Sequence, residues 1–403
     1  MRREGVTSMV TGAVLTCAAA IASGAAAAQA QGAPAAPTGA PGQDRVVGAV
    51  ARTAVIAGVL DSLRAAYVFP DSVPAIAAAL RRHERRGAYD GLTARALADS
   101  LTAHLRAARN DGHLRVVYAP APPAPPPPPP PTMRRVANGR IANAPQAARP
   151  AAADSAAEAA REAGRQRAVA QRANYGVDRV ERLAGNVGYL ALREFAEPEG
   201  AAPVFAAAMT LLARTDALII DLRSNGGGYP PTGDLLASYL VGPRRVHLLS
   251  FHYRPTDQTT ESWTRDTVAG PRYGHARPVY VLTGRGTASG AEAFAYTLRH
   301  LGRVTVVGDT TAGAAHPGRD RRVGYGFAVF VPDGRPTSPL TGGNWEGTGV
   351  APDIAVPAAR ALQAAHAAAL RTLAERTRDP ARRREFHHAL DAVIASTANR
   401  VPR

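Results

Sequence analysis

Between residues 175 and 360 the chain alternates short apolar runs with segments of helical periodicity. The run at residues 217–222 is almost continuously apolar, which is typical of a strand covered on both faces of a sheet. Strands are predicted at residues 187–192, 217–222, 246–251, 278–282, 304–307 and 323–331, and helices at residues 201–213, 232–240 and 289–300. This alternation predicts an α/β layered core. A largely helical segment over residues 361–403 is expected to complete it.

The region before this core predicts a small helical domain over residues 46–118. Apolar residues recur at helical spacing over residues 54–67, 73–82 and 93–108, and Thr93 has the character of an N-cap. A short strand is predicted at residues 114–118. Residues 119–174 differ in composition, with an uninterrupted proline run at 125–131 and an Ala/Glu/Arg-rich helix at 151–171. They predict an insert or linker.

The first 30 residues have the composition of a signal peptide. Arg2 and Arg3 precede an apolar stretch at residues 10–22, and small-residue cleavage sites follow. We therefore expect export, to the periplasm or the medium, with residues 31–45 as a disordered linker. Cys17, the only cysteine, lies inside this segment, so its removal excludes cysteine chemistry in the mature chain. No later run is long and apolar enough to predict an integral membrane segment.

The charge pattern limits which binding partners and which catalytic bases are expected. The formal net charge is +16, and all 48 basic residues are arginine, so no lysine is present to act as a base. The arginines are spread along the chain, and aromatic residues make up only 5%. Nucleic-acid binding is therefore not predicted.

Two turns in the core region contain residues that could take part in catalysis. The first, Asp221 to Gly228, ends a buried strand with three glycines whose N–H groups could hold an anionic oxygen. It lacks the lysine and hydroxyl of a phosphate-binding loop, and a plain turn is the simpler reading. The second places Ser289 between a strand and a helix, where a hydroxyl lies beside the positive end of the helix dipole. Taken alone, Ser289 is more simply read as an ordinary N-cap.

Three further residues could complete an acyl-transfer site. His113 follows Asn110-Asp111-Gly112, Glu346 follows a tryptophan in a glycine-rich loop, and His316 lies after Ser289 in the core region. Each has a simpler reading as a loop or surface residue. No histidine pair has metal-ligand spacing near a carboxylate, apart from the surface-like His387-His388. No metal and no cofactor are expected.

These segments occur in an order that resembles the S41 peptidases, the tail-specific proteases. Within this family, the chain resembles the branch related to interphotoreceptor retinoid-binding protein and the tricorn protease core. The matching stretches are 67–70, 101–114, 185–190, 221–228, 287–292, 307–311 and 343–353. The resemblance implies a crotonase/ClpP-like α/β core over residues 175–360 with a small N-terminal helical domain.

The resemblance also implies roles for particular residues. Ser289 would be the nucleophile, and the oxyanion hole would use the N–H of Gly290 with an N–H from the Gly227-Gly228 turn. His113 would be the base and Glu346 would orient the site, with His316 as the reserve base. The better-known Ser-Lys dyad cannot operate without lysine, and arginine stays protonated. The Pro-rich insert lies where many relatives carry a PDZ domain.

Together these features predict a serine endopeptidase acting on unstructured or C-terminal polypeptide segments. One alternative is a non-catalytic binder of apolar ligands or peptides on the same fold. Another is an envelope interaction protein that uses the prolines and the basic surface. The sequence identifies neither the substrate preference nor the oligomeric state.

Overall fold

A computed structural model describes residues 44–109, 111–120 and 151–398 of the 403-residue chain. The predicted signal peptide with Cys17, almost all of the linker at 31–45, Asn110 and the proline run at 125–131 lie outside these residues. The described helices are α1 (Ala49–Ala66), α2 (Val73–Arg85), α3 (Ala94–Ala108), α4 (Ala151–Arg172), α5 (Pro198–Leu212), α6 (Pro230–Leu240), α7 (Gly290–His300), α8 (Ala361–Arg376) and α9 (Pro380–Ala398). Among these residues no helix has the length and apolar character needed to cross a bilayer.

A six-stranded sheet forms the centre of the fold. Its strands are β2 (Val177–Leu183), β3 (Val187–Leu192), β4 (Ala217–Asp221), β7 (Val279–Thr283), β8 (Thr305–Gly308) and β12 (Ile354–Ala355). They run in the order β12-β8-β7-β4-β3-β2, and only the β2–β3 pair is antiparallel. The α/β class predicted from the alternating pattern is confirmed.

Successive residues of the central strands face two different cores. In β4, Leu218 and Ile220 pack with α5, α6 and α7, whereas Ala217 and Ile219 pack under α8 and α9. All four side chains are buried. This two-sided burial explains why the strand shows no polar alternation. The sheet is therefore the middle of three layers.

Two smaller sheets flank the centre. One has the order β11-β5-β6, from β5 (His247–Tyr253), β6 (Gln258–Trp263) and β11 (Gly334–Thr337). The other has the order β1-β10-β9, from β1 (Arg115–Tyr118), β9 (Gly318–Gly324) and β10 (Phe327–Pro332). In the second sheet, β1 of the N-terminal region pairs with β10 from the distant 318–332 hairpin.

The helices and strand of the N-terminal region are confirmed within a few residues. Thr93 caps α3, because its side chain accepts a hydrogen bond from the N–H of Ala96. The single strand predicted at residues 323–331 is divided between two strands, the end of β9 and most of β10. A turn with positive φ at Tyr325 and Gly326 divides this segment into a hairpin, and the hairpin packs on the N-terminal helices rather than in the core sheet. The strands β2 and β6, which were not predicted, carry mainly polar residues, and most of those in β6 are exposed.

Candidate active site

Ser289 lies at the sharp turn between β7 and α7. It is the N-cap of α7, with φ 51° and ψ −120°. Positive φ costs a residue with a side chain on the order of 1–3 kcal/mol, so the surrounding structure must hold this turn in place. Ser289 is partly exposed and lies at the N-terminus of α7.

The predicted glycine-rich turn packs directly against Ser289. Gly227 has φ 110°, and a Cβ atom on it would lie 2.8 Å from both the Cβ of Ser289 and the N of Gly290. Further hydrogen bonds join the two turns: the Thr287 hydroxyl donates to the Leu222 carbonyl, and the Ala288 N–H donates to the Asn225 carbonyl. Only glycine fits at position 227, because any side chain there would overlap the serine turn.

The backbone N–H groups of these two turns differ in availability. The Gly227 N–H donates to Oδ1 of Asn225 at 2.8 Å. Within the described ranges, the N–H groups of Gly228 and Gly290 donate to no protein acceptor. These two amides lie close together, since a Cβ on Gly290 would be 3.3 Å from the Gly228 nitrogen. Of the two turn amides considered from the sequence, Gly228 is the one left free to hold an oxyanion with Gly290.

A second group of side chains forms around His113. One ring nitrogen of His113 and one carboxylate oxygen each of Asp111 and Glu346 lie within 4.8 Å of one another. His316 is 1% exposed, and its Nδ1 lies 3.2 Å from Oε2 of Glu346 and 3.6 Å from Oδ2 of Asp111. The Tyr67 hydroxyl donates to Oδ2 of Asp111 at 3.0 Å. The structure thus brings both predicted imidazoles and the predicted glutamate together.

Burial shifts the pKa values of the titratable side chains in this cluster. Burial lowers the pKa of His113 to about 4, and the nearby Asp111 carboxylate only partly opposes this. Burial raises the pKa of Glu346, against the opposing effect of His316. Burial also acts to raise the pKa of Asp111, but the nearby His316 ring, the His113 N–H and the Tyr67 hydroxyl together hold it below its usual value. His113 is therefore neutral near pH 7, as a proton acceptor must be.

Two buried ring nitrogens of the cluster make no hydrogen bond within the part of the chain that the structure describes, although Nδ1 of His316 contacts Glu346. Nδ1 of His113 and Nδ1 of His316 have no hydrogen-bond partner there, and Oε1 of Glu346 also has none. Buried polar atoms without partners are uncommon and often belong to reactive groups.

Glu292 connects the serine turn to the segment that carries His316. One carboxylate oxygen accepts from the N–H of Ser289 at 2.9 Å and of Ala314 at 2.8 Å. The other accepts from the Thr311 hydroxyl and from the Gly313 N–H. Gly112 packs on the same segment, because a Cβ there would be 3.7 Å from the Cβ of Ala314. In the residues described, no hydrogen bond joins Oγ of Ser289 to either imidazole.

The sequence motifs contained residues whose part in the site was not assigned. Asp111 and Glu292 stood inside quoted motifs, but their hydrogen bonds depend on segments far away in the chain. Tyr67 opened another matching stretch and now proves to hold Asp111. A carboxylate three residues after a candidate N-cap serine is the capping-box signal that could have identified Glu292.

Asp111, His113 and Glu346 also have the residue types of a metal-binding group. However, Asp111 already accepts from Tyr67 and from the His113 N–H, and Glu346 accepts from the N–H groups of Ala315 and His316. The donors of the protein itself thus satisfy most of the carboxylate oxygens. Among the described residues, only Oε1 of Glu346 of these four oxygens accepts no hydrogen bond, and the expectation of no metal stays a prediction.

Comparison with known proteins identifies the family. The model of peptidase family S41 matches residues 186–356, and the model of the N-terminal domain of Peptidase_S41 in eukaryotic IRBP matches residues 50–146. The chain belongs to peptidase family S41. Ser289 lies inside the first match and His113 inside the second, so the two halves of the candidate site come from the two family regions.

Individual relatives of this S41 chain match over shorter stretches. The carboxy-terminal processing protease CtpB of Bacillus subtilis is 29% identical over 174 residues, which is 42% of this chain and 34% of that protein. The chain thus spans about a third of the length of that curated relative. The photosystem II D1 C-terminal processing protease is 26% identical, with a TM-score of 0.36, over 43% of this chain and 42% of that one. The tricorn protease is 19% identical, with a TM-score of 0.31, over 58% of this chain and 19% of that one.

Proposed function

We propose that the protein is a serine endopeptidase that cleaves unstructured or C-terminal polypeptide segments through an acyl-enzyme. The observation that carries the proposal is the Ser289 turn, with the unused amides of Gly228 and Gly290 beside it. Such amides stabilise the charge that develops on an attacked carbonyl oxygen. The S41 membership and the processing proteases among its relatives support the substrate class.

In the proposed reaction, the neutral His113 takes the proton of the Ser289 hydroxyl while Oγ bonds to the peptide carbonyl carbon. The amides of Gly228 and Gly290 hold the oxyanion. His113 then gives the proton to the leaving amine as the C–N bond breaks, and water hydrolyses the ester. Asp111 and Glu346 stabilise the imidazolium. Ser289 is not hydrogen-bonded to an imidazole in this structure, so substrate binding has to close that gap.

The test compares Ser289→Ala, His113→Ala and His316→Ala with the wild type on an unstructured polypeptide. We expect Ser289→Ala and His113→Ala to lose on the order of 10⁴-fold or more in kcat, as in other triads. His275→Ala is the matched control, because this histidine is exposed and lies outside the site. If His113→Ala keeps full activity while His316→Ala loses it, His316 and not His113 is the catalytic base.

The competing function is a non-catalytic binder on the same fold. A fluorophosphonate probe separates the two functions, because it labels only an activated serine. We expect labelling of the wild type and none of Ser289→Ala. An unlabelled, folded wild type would favour the binder. Comparing free and amidated C-termini of one polypeptide tests whether the tail itself is recognised.

We also propose that the protein is exported, on the basis of Arg2, Arg3 and the apolar run at residues 10–22. N-terminal sequencing of the protein recovered from its host tests this. A mature chain beginning after the small-residue sites near residue 30 is expected. Recovery of an unprocessed chain in the cytoplasm would contradict export.

A further inference from the structure

A pocket of about 460 Å³ opens beside the side-chain cluster around His113. Its volume lies in the range of sites that hold small ligands or short peptide segments. The main lining residues come from both family regions: Phe69, Arg109, Asp111, His316, Arg335 and Glu346. A substrate that reaches the proposed base therefore also meets this pocket.

Arg109 and Arg335 are the charged residues that this pocket presents to solvent. Both are exposed, and within the described ranges neither makes an ion pair with a carboxylate. The carboxylates in the lining differ, because Asp111 is 1% exposed and the side chain of Glu346 is 13% exposed. Donors of the protein itself already occupy most of their oxygens. The accessible charge of the pocket is therefore positive, which favours an anionic ligand.

Packing holds both cations close to the catalytic cluster. The Arg109 guanidinium lies over the Phe69 ring, 4.5 Å from its centroid, and such an arrangement is electrostatically favourable. The other neighbour of Phe69 is the His316 ring, which meets it edge to face at 5.1 Å between centroids. Arg335 stands on β11, where the side-chain amide of Asn344 donates to the carbonyl of the next residue at 2.9 Å. An anion bound by the two arginines would thus lie near the imidazoles.

The proposed reaction indicates which part of a substrate meets this pocket. His113 gives its proton to the leaving amine, so the leaving segment begins beside the histidine cluster. The oxyanion amides of Gly228 and Gly290 belong to the serine turn, and neither glycine lines the pocket. The pocket therefore lies on the side of the leaving segment, which continues to the C-terminus of the substrate.

We propose that this pocket receives the leaving segment of the substrate, and that Arg109 and Arg335 bind a carboxylate on that segment. The inference rests on the proposed peptidase function, because the acyl-enzyme reaction fixes the direction of the substrate. Guanidinium groups form paired, charge-assisted hydrogen bonds with carboxylates. The carboxylate has two sources with the same chemistry, the free C-terminus of the substrate and an acidic side chain near it.

The test starts from an unstructured peptide whose cleavage site has been located by mass spectrometry. The peptide is made with a free or an amidated C-terminus, and the amidated form carries glutamate or glutamine at each position of the leaving segment in turn. We expect kcat/KM of a carboxylate form to exceed that of its neutral counterpart by about tenfold or more. Faster cleavage of the free C-terminus identifies the tail as the ligand, whereas faster cleavage of a glutamate peptide identifies a side chain.

Arg109→Gln and Arg335→Gln each remove one of the two cations. We expect each to reduce the carboxylate-to-neutral ratio by about threefold or more, mainly through KM, because a contact remote from the reacting bond is made equally before and in the transition state. Arg384→Gln, at an exposed position on α9, makes the same change of net charge and should keep the wild-type ratio. Thermal unfolding and fluorophosphonate labelling of Ser289 show whether each variant is intact. Arg335→Gln remains informative if Arg109→Gln, close in the chain to His113, is not.

Two results would overturn the inference. In the first, carboxylate and neutral peptides are cleaved equally well, or a preference for the carboxylate survives unchanged in both arginine variants. With Ser289 still labelled by fluorophosphonate, this result removes the carboxylate site but keeps the peptidase. In the second, no peptide is cleaved and Ser289 is not labelled, so the proposed function fails and the inference fails with it.

Discussion

Ser289 is the proposed nucleophile, and its backbone conformation is unfavourable. At φ 51° its Cβ is crowded, and only glycine accepts such values without strain. The turn is held from both sides, by Gly227 and by the hydrogen bond from the Ser289 N–H to Glu292.

Replacing Ser289 by glycine should separate strain from chemistry. Ser289→Gly removes the crowded Cβ, whereas Ser289→Ala keeps it, and both remove the hydroxyl. We expect Ser289→Gly to unfold with a free energy about 1 kcal/mol higher than Ser289→Ala, the relief of strain exceeding the entropy that glycine adds to the unfolded chain. Urea denaturation measures the difference. A glycine variant less stable than the alanine variant would show that the turn is not strained.

The pKa of His113 makes stability depend on pH. An unfolded histidine titrates near 6.5 and folded His113 near 4, so the unfolded chain binds more protons between these values. The stabilisation is present above pH 6.5 and is lost as the pH falls toward 4. We expect the wild type to lose about 3 kcal/mol more unfolding free energy than His113→Gln between pH 7 and pH 4. Urea titrations at both pH values test this, and parallel losses in the two proteins would contradict it.

At the level of elements, Glu292 fastens the start of α7 to the segment that leads into His316. The carboxylate is buried and accepts four hydrogen bonds, two on each oxygen. A glutamine has only one carbonyl oxygen. In either orientation its amide N–H₂ would face two donors, either Thr311 and Gly313 or Ser289 and Ala314.

Glu292→Gln should therefore loosen this junction. We expect a loss of about 2–4 kcal/mol of unfolding free energy, from two donors left without acceptors. We also expect kcat/KM to fall by on the order of 10²-fold, because His316 and the serine turn lose their common anchor. Glu375→Gln, at an exposed position on α8, is the control. If Glu292→Gln is as stable and as active as this control, Glu292 does not anchor the junction.

Elements with strong patterning could be predicted from the sequence, and those without it could not. β4 was recognised because both of its faces are buried, whereas β6 is mostly polar and exposed along an outer strand. The 318–332 hairpin was missed because β9 is rich in arginine and its turn contains Tyr325 at positive φ.

For the site, the order of the motifs along the chain identified Ser289, His113 and Glu346 as candidates. Arg335 stands in a four-residue strand, and only packing places it in a pocket.

At the scale of the whole molecule, the N-terminal helices do not have a core of their own. Their buried cluster includes Phe327, Val329 and Val331 of β10, which lie in the chain after the serine turn. Val116 of β1 pairs with Val329, directly after the loop that carries His113. The position of His113 therefore depends on a hairpin contributed by the other end of the chain, and the two regions should unfold together.

Val329→Ala tests this coupling. Val329 is fully buried, so we expect a loss of about 2 kcal/mol of unfolding free energy, whereas Val50→Ala, at 76% exposure on α1, should change it by less than about 0.5 kcal/mol. Both tryptophans, Trp263 and Trp345, lie outside the N-terminal cluster, while far-ultraviolet circular dichroism also detects α1, α2 and α3. In a coupled molecule the fluorescence and dichroism transitions coincide and shift together in Val329→Ala. If dichroism is lost first while the fluorescence keeps its wild-type midpoint, the N-terminal helices unfold independently and the shared core does not couple the two halves of the site.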